Sequence, residues 1–206
     1  IWVAMEYRYM PTIARIREER QPKAPWQQLL KEWLTAIAHT DYSWARPDRR
    51  FLDAGLYLPD LQSDGCPPLV VAFDTSASVE SETLSEFLAE LNAIIEELRP
   101  EEVVCLQVDT DVARVDRFGP EDLPIELDFY GRGGTWFDPA FEWVAEHQDE
   151  IGQIGGLIYF TDMYAEKVRR ENEPDYPVLW ADYGDALAHH MTSFYYQRFG
   201  ERVYLK

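Results

Sequence analysis

The chain has 206 residues and a formal charge of −19, from 38 acidic and 19 basic side chains. That length holds one α/β domain with a full core and some added structure. The acidic balance argues against nucleic acid and anionic membrane as partners, which need basic patches, and is compatible with cation binding without requiring it.

In chain order, residues 1–23 carry no clear pattern beyond a helix expected around Ile13 to Arg20, interrupted by Pro22 and Pro25. The chain starts at Ile1 rather than Met, which points to a fragment of a longer one. Trp26, Leu29, Leu30, Trp33, Leu34 and Ile37 follow helical spacing and predict an amphipathic helix. Asp41 to Pro59 reads DYSWARPDRRFLDAGLYLP, rich in aromatics, arginines and turn residues. We expect an irregular segment there that packs on a domain without joining its sheet, with Arg46, Arg49 and Arg50 paired to carboxylates. The predicted organisation is a helical and irregular extension over 1–59 and an α/β domain over 60–206.

Gln62-Ser63-Asp64-Gly65 and Pro67-Pro68 are turn punctuation. They precede Leu69-Val70-Val71-Ala72-Phe73-Asp74-Thr75-Ser76-Ala77-Ser78, an apolar run ended by an aspartate and two hydroxyls at alternate positions. Such a run reads as a strand buried on both faces, as in parallel sheets. Asp74, Ser76 and Ser78 leave it at the edge where open α/β sheets bind ligands. Oxygen donors with few direct carboxylates suit a hard, partly hydrated cation, Mg²⁺ above all. The same residues fit a hydroxyl-rich helix cap equally well. Ser81 is expected to cap a helix carrying Leu84, Phe87, Leu88, Leu91, Ile94, Ile95 and Leu98, stopped by Pro100. Val103 to Val108 is a second buried strand with a reduced thiol, Cys105, inside it; Cys66 and Cys105 form no recognisable framework. Asp109-Thr110-Asp111 turns the chain, and Val112 to Phe118 returns as an antiparallel edge strand. Ile125, Leu127 and Phe129 predict a short half-exposed strand.

Gly131-Arg132-Gly133-Gly134-Thr135 is no phosphate loop, since no Lys-Ser/Thr pair follows and no G-x-G-x-x-G is present. Asp138 as N-cap, with Pro139 at the first helical position, predicts a helix to about Glu150 and a structural role for that acid. Gly155-Gly156 leads into Leu157-Ile158-Tyr159-Phe160-Thr161-Asp162, another buried strand ending in aspartate. Pro174 and Pro177 bracket a turn, Val178 to Ala181 is the next strand, Ala186 to Phe199 a helix, and Arg202 to Leu205 a last short strand. The alternation predicts one β/α domain. With no signal peptide or membrane-length apolar run in the sequence, the expected location is cytoplasmic.

Asp74 and Asp162 each end a buried strand, and Thr135 sits just before a helix. Parallel connections can bring all three to one edge. D-x-S-x-S, then G-G-T, then T-D resembles the metal-ion-dependent adhesion site of von Willebrand factor A (VWA) domains. The resemblance implies a Rossmann-like fold: a mostly parallel sheet with one antiparallel edge strand and helices on both faces. It also implies Ser76, Ser78 and Thr135 as direct ligands of Mg²⁺ (or Mn²⁺ or Ca²⁺), with Asp74 and Asp162 acting through water. The segments D-Y-S-W-x-R-P-x-R-R, L-Y-L-P, G-R-G-G-T, Y-F-T-D and P-V-L-W are similar to a bacterial group. There a VWA-like domain forms the carboxyl-terminal part of a predicted metallopeptidase. The likeness runs from about Trp26 to Lys206. Two departures stand out. The group's peptidase domain carries H-E-x-x-H, whereas His39, His147, His189 and His190 here fall in no such pattern. The stretch from Asp185 to Phe199 looks longer than the corresponding family connection.

The resemblance implies a module that grips a partner's Asp or Glu carboxylate through the metal, without catalysis by this chain. A MoxR-type AAA+ ATPase is the implied partner. A haloacid-dehalogenase-like phosphotransferase also places an aspartate at the end of its first strand. It needs a second acid two residues on, where Ser76 stands, and a positioned lysine, for which Lys167 has no context. A third reading is a metal-free VWA scaffold whose donors hydrogen-bond one another.

Overall fold

The computed structural model describes residues 25–38, 42–47, 59–61, 66–76, 81–129, 133–184 and 197–205. Ser78, the helices predicted at 13–20 and 186–199, the turn at 62–65, and His39, His189 and His190 lie outside the described residues. So do the side chains of Arg46, Arg49, Arg50 and Ser81.

The first helix, α1 (Trp26–Ala38), buries Leu30, Trp33, Leu34 and Ile37, the stripe its spacing predicts. β1 (Tyr42–Pro47) and β2 (Pro59–Leu61) pair antiparallel as a separate two-stranded sheet. That region therefore stays out of the main sheet as expected. It is not wholly irregular, because the ends of the segment pair with each other.

The chain continues as β3 (Leu69–Asp74), α2 (Ser81–Leu98), β4 (Val103–Val108), β5 (Val112–Phe118), α3 (Asp138–Ile151), β6 (Gly156–Thr161), β7 (Val178–Asp182) and β8 (Glu201–Tyr204). These six strands form one sheet in the order β5-β4-β3-β6-β7-β8. Every pairing is parallel except β4 with β5. β3, β4, β6 and β7 are buried at every position, which is why they read as unbroken apolar runs. Pleating sends alternate residues to opposite faces. Leu69, Val71 and Phe73 pack with Leu34 of α1 and Phe87, Leu91 and Ile95 of α2. Val70 and Ala72 pack with Ala140, Phe141 and Val144 of α3. Full burial of each such Val, Leu or Phe contributes about 2 kcal/mol. Cys66 and Cys105 are both free and buried. No helix among the described residues is long and apolar enough to cross a membrane.

Topology now fixes where a ligand can sit. From β3 the chain moves outward to β4 and β5, then returns to the other side of β3 with β6 before reaching β7 and β8. This reversal leaves a crevice between the carboxyl ends of β3 and β6, the place where open α/β sheets bind ligands. At the opposite end of β6, Gly156 lets α1 approach. A Cβ there would lie 2.7 Å from both Trp33 Cη2 and Ile37 Cδ1.

Two expectations need correction. Residues 125–129 are not a strand. β5 already takes that edge of the sheet, and side-chain amides satisfy the segment's backbone instead. Asn92 accepts from Ile125 N–H at 2.8 Å and donates to Ile125 O at 2.9 Å, while Gln107 Nε2 donates to Asp128 O at 2.8 Å. Ile125, Leu127 and Phe129 alternate because they pack on the α2 side of the core, as a strap. The second correction is at α3, where Phe137 holds the capping position and Asp138 is already helical. The Asp138 carboxylate binds other elements, described next.

Candidate metal centre

Among the described residues, Asp74, Asp138, Asp162 and Asp182 are buried acids, at most 4% exposed, and all sit at strand ends or the α3 start. A buried carboxylate costs several kcal/mol unless a cation or dense hydrogen bonding compensates it. Asp182 accepts from Arg202 Nε and Nη2 of β8 at 2.9 and 2.5 Å, and from Gly184 N–H at 2.8 Å. Asp138 accepts from Trp136 Nε1 at 3.1 Å, Arg169 N at 2.9 Å and Asn172 Nδ2 at 2.6 Å, with Arg169 Nε 3.4 Å away. Each of these acids has an arginine beside it and ties elements together; for Asp138 this replaces the N-cap role expected from the sequence.

Asp74 and Asp162 differ. Asp74 Oδ1 accepts from Ser76 N–H at 2.9 Å, and Oδ2 accepts from the Thr161 hydroxyl at 2.8 Å. Asp162 Oδ1 accepts from Tyr164 N–H at 3.0 Å. Burial pushes the Asp74 carboxyl above the usual carboxylate range. Hydrogen bonds from Ser76 and Thr161 pull it down, and the charge of Asp162 adds to the rise. Among the described residues, no lysine or arginine forms an ion pair with Asp74 or Asp162.

The geometry around Thr161 depends on a backbone feature. Met163 has φ 64, the left-handed region that costs a non-glycine residue ~1 kcal/mol. The turn brings Met163 N–H to 3.0 Å from Thr161 Oγ1, leaving that hydroxyl's own proton for Asp74. Thr161 is thus a site residue that the selection of Asp162 alone missed, although it stood within the T-D motif.

Ser76 is 6% exposed and Thr135 is half-buried. The bonds that place the Thr135 loop run to the β4 end: Trp136 N–H donates to Asp109 O at 2.8 Å. Gly133 passes so close that a Cβ would lie 2.7 Å from Asp109 Oδ2, so any side chain here would have to displace that carboxylate. Asp109 follows Val108, which pairs with Asp74 in the sheet. Hydrogen bonds therefore join Asp74, Ser76 and Thr161, and Asp162 acts on Asp74 through its charge. The structure sets the Thr135 loop one strand away along the same edge. His147 is engaged within its own helix, with Nδ1 at 2.8 Å from Trp143 O and its ring stacked on Trp143. No three His, Cys, Asp or Glu side chains among the described residues form a metal-holding group by themselves. A cation here would need the hydroxyls.

Residues 69–203 match the profile of the VWA-like domain family DUF2201. Residues 12–62 match that of a family described as "Putative metallopeptidase domain", over the segment predicted as an extension. The chain is also 26% identical over 147 residues to an uncharacterised protein of Thermotoga maritima. That alignment covers 70% of this chain and 34% of the length of the Thermotoga protein.

Proposed function

Because the chain belongs to the VWA-like domain family DUF2201, we propose that it is a divalent-cation-dependent protein-binding module with its metal in the β3/β6 crevice. One observation carries the reading. Asp74 and Asp162 are buried within electrostatic reach of each other and have neutral donors, whereas Asp138 and Asp182 have arginines. The donor set fits a hard cation, Mg²⁺ first and Mn²⁺ or Ca²⁺ next. Ser76, Ser78 and Thr135 would hold it directly, and Asp74 and Asp162 through water. Asp74 suits that outer role because both of its oxygens already accept hydrogen bonds.

When bound, a cation with mostly neutral direct ligands stays electrophilic and draws a carboxylate from outside. An Asp or Glu of a partner protein would complete its shell. The match over 12–62 supports joining this module to a metallopeptidase-type domain with a divalent metal of its own; the cytoplasm stays the proposed location. A MoxR-type AAA+ ATPase is the partner class to test first. Calorimetric titration of Mg²⁺ and Mn²⁺ into EDTA-stripped protein is the primary experiment. The expected result is saturable one-site heat, lost in Asp74→Ala and weakened in Thr135→Ala. Unchanged affinity in both variants would refute the site.

A further inference from the structure

We propose that the groove beside the metal edge, walled by Trp136 and Trp143, receives an arginine or lysine side chain of the protein partner. The inference rests on the binding role proposed above but not on the metal. The groove measures about 400 Å³ and lies between the β4–β5 turn, the loop before α3 and the outer face of α3. On α3 it is lined by Glu142, Trp143 and Glu146, one helical face, while Phe141 and Val144 face the core.

Both indoles are fixed before any ligand arrives. Trp136 donates Nε1–H to the buried Asp138 carboxylate at 3.1 Å and its backbone N–H to Asp109 O at 2.8 Å. Trp143 stacks on His147 with centroids 4.1 Å apart and planes inclined by 14°. Trp136 nonetheless remains 45% exposed. A rigid aromatic exposed beside a cavity is the kind of residue that anchors interfaces, with little ordering cost left at binding.

The lining charge has one sign. Asp111, Glu142 and Glu146 contribute carboxylates, and among the described residues no Lys, Arg or His lines the groove. Arg169 pairs with Glu142, and its guanidinium lies 5.8 Å from the Trp136 ring centroid. One cation thus already uses this indole. Asp111 and Glu146 have no ion pair among the described residues. A cation held between an indole face and carboxylates gains both ring attraction and charge pairing. An apolar side chain would instead desolvate the carboxylates, and an acidic one would be repelled. Thr135 immediately precedes Trp136, so the partner's basic residue would lie near the carboxylate it offers to the metal.

The test is an NMR titration of the full chain in EDTA, which separates failure of the groove from failure of the metal reading. N-acetyl-arginine amide is the probe, and N-acetyl-citrulline amide is its uncharged isostere. Indole N–H signals are the readout, assigned with Trp136→Phe and Trp143→Phe. Saturable shifts of these two signals are expected with arginine, with about fivefold weaker affinity for citrulline. The double variant Asp111→Asn/Glu146→Gln should lose about fivefold for arginine, and Glu86→Gln/Glu96→Gln on exposed α2 should lose nothing. Unchanged indole spectra without ligand will show that the variants are folded. Equal shifts with citrulline, equal shifts at other indoles, or an equal loss in the α2 variant would overturn the proposal.

Discussion

At Asp74 burial and the charge of neighbouring Asp162 both favour the protonated carboxyl. Burial holds its proton more tightly in the folded, metal-free state than in the unfolded one. A raised folded value means stability that is fully present below the unfolded value near 3.8 and lost as pH rises through the folded one. In EDTA, wild type should therefore gain melting temperature relative to Asp74→Asn as pH falls from 8 to 4. Saturating Mg²⁺ should invert the trend, since the metal needs the ionised carboxylate. Calorimetric melts of both proteins across that range decide it; a pH-independent difference in EDTA would show that Asp74 does not hold its proton in this way. Asp74, Ser76 and Asp162 were legible in the sequence because ends of parallel strands must share an edge. The Thr161 bond and the left-handed Met163 were not. No property of a methionine signals positive φ, which the turn after β6 imposes.

Among the elements, β7 and β8 are joined by an ion pair that leaves little freedom to the last strand. Asp182 is 0% exposed and the Arg202 side chain 12%. Arg202→Met should cost about 3–5 kcal/mol, because it strands a buried carboxylate. Adding Asp182→Asn should recover much of the loss; urea unfolding of single and double variants measures it. A double variant no more stable than Arg202→Met would mean that the charge is not the cause. At the other end of β6, Gly156→Val would drive side-chain atoms into Trp33 and Ile37. It should cost about 1–3 kcal/mol by overpacking while leaving cation affinity intact in the folded protein. Equal loss of affinity would show that the position of α1 reaches the metal edge. Strands β3, β4 and β6 were legible as unbroken apolar runs, since burial on both faces leaves no other pattern. The strap at 125–129 was misread because strand alternation reports only that one side is buried. It does not say whether Asn92 and Gln107 or a neighbouring strand satisfies the backbone.

For the whole molecule, a formal charge of −19 complicates every experiment with a divalent ion. Self-repulsion destabilises the compact state, so any salt stabilises this protein by screening, without a site. Composition alone could not separate a metal-binding acidic protein from one that is only acidic. The proposed site rests instead on setting the buried acids with arginines apart from Asp74 and Asp162. Specific binding to the folded state adds RT ln(1 + [L]/Kd), about 2.7 kcal/mol at a hundred times Kd, and this term depends on the site. Screening depends on ionic strength alone. MgCl₂ should therefore raise the melting temperature beyond NaCl of equal ionic strength, and the excess should saturate. In Asp74→Ala the excess should vanish while the NaCl-type rise persists, because one acid in 38 hardly changes the net charge. A Mg²⁺ effect matched by NaCl, or one that survives Asp74→Ala, would assign the stabilisation to the surface and leave the crevice without a cation.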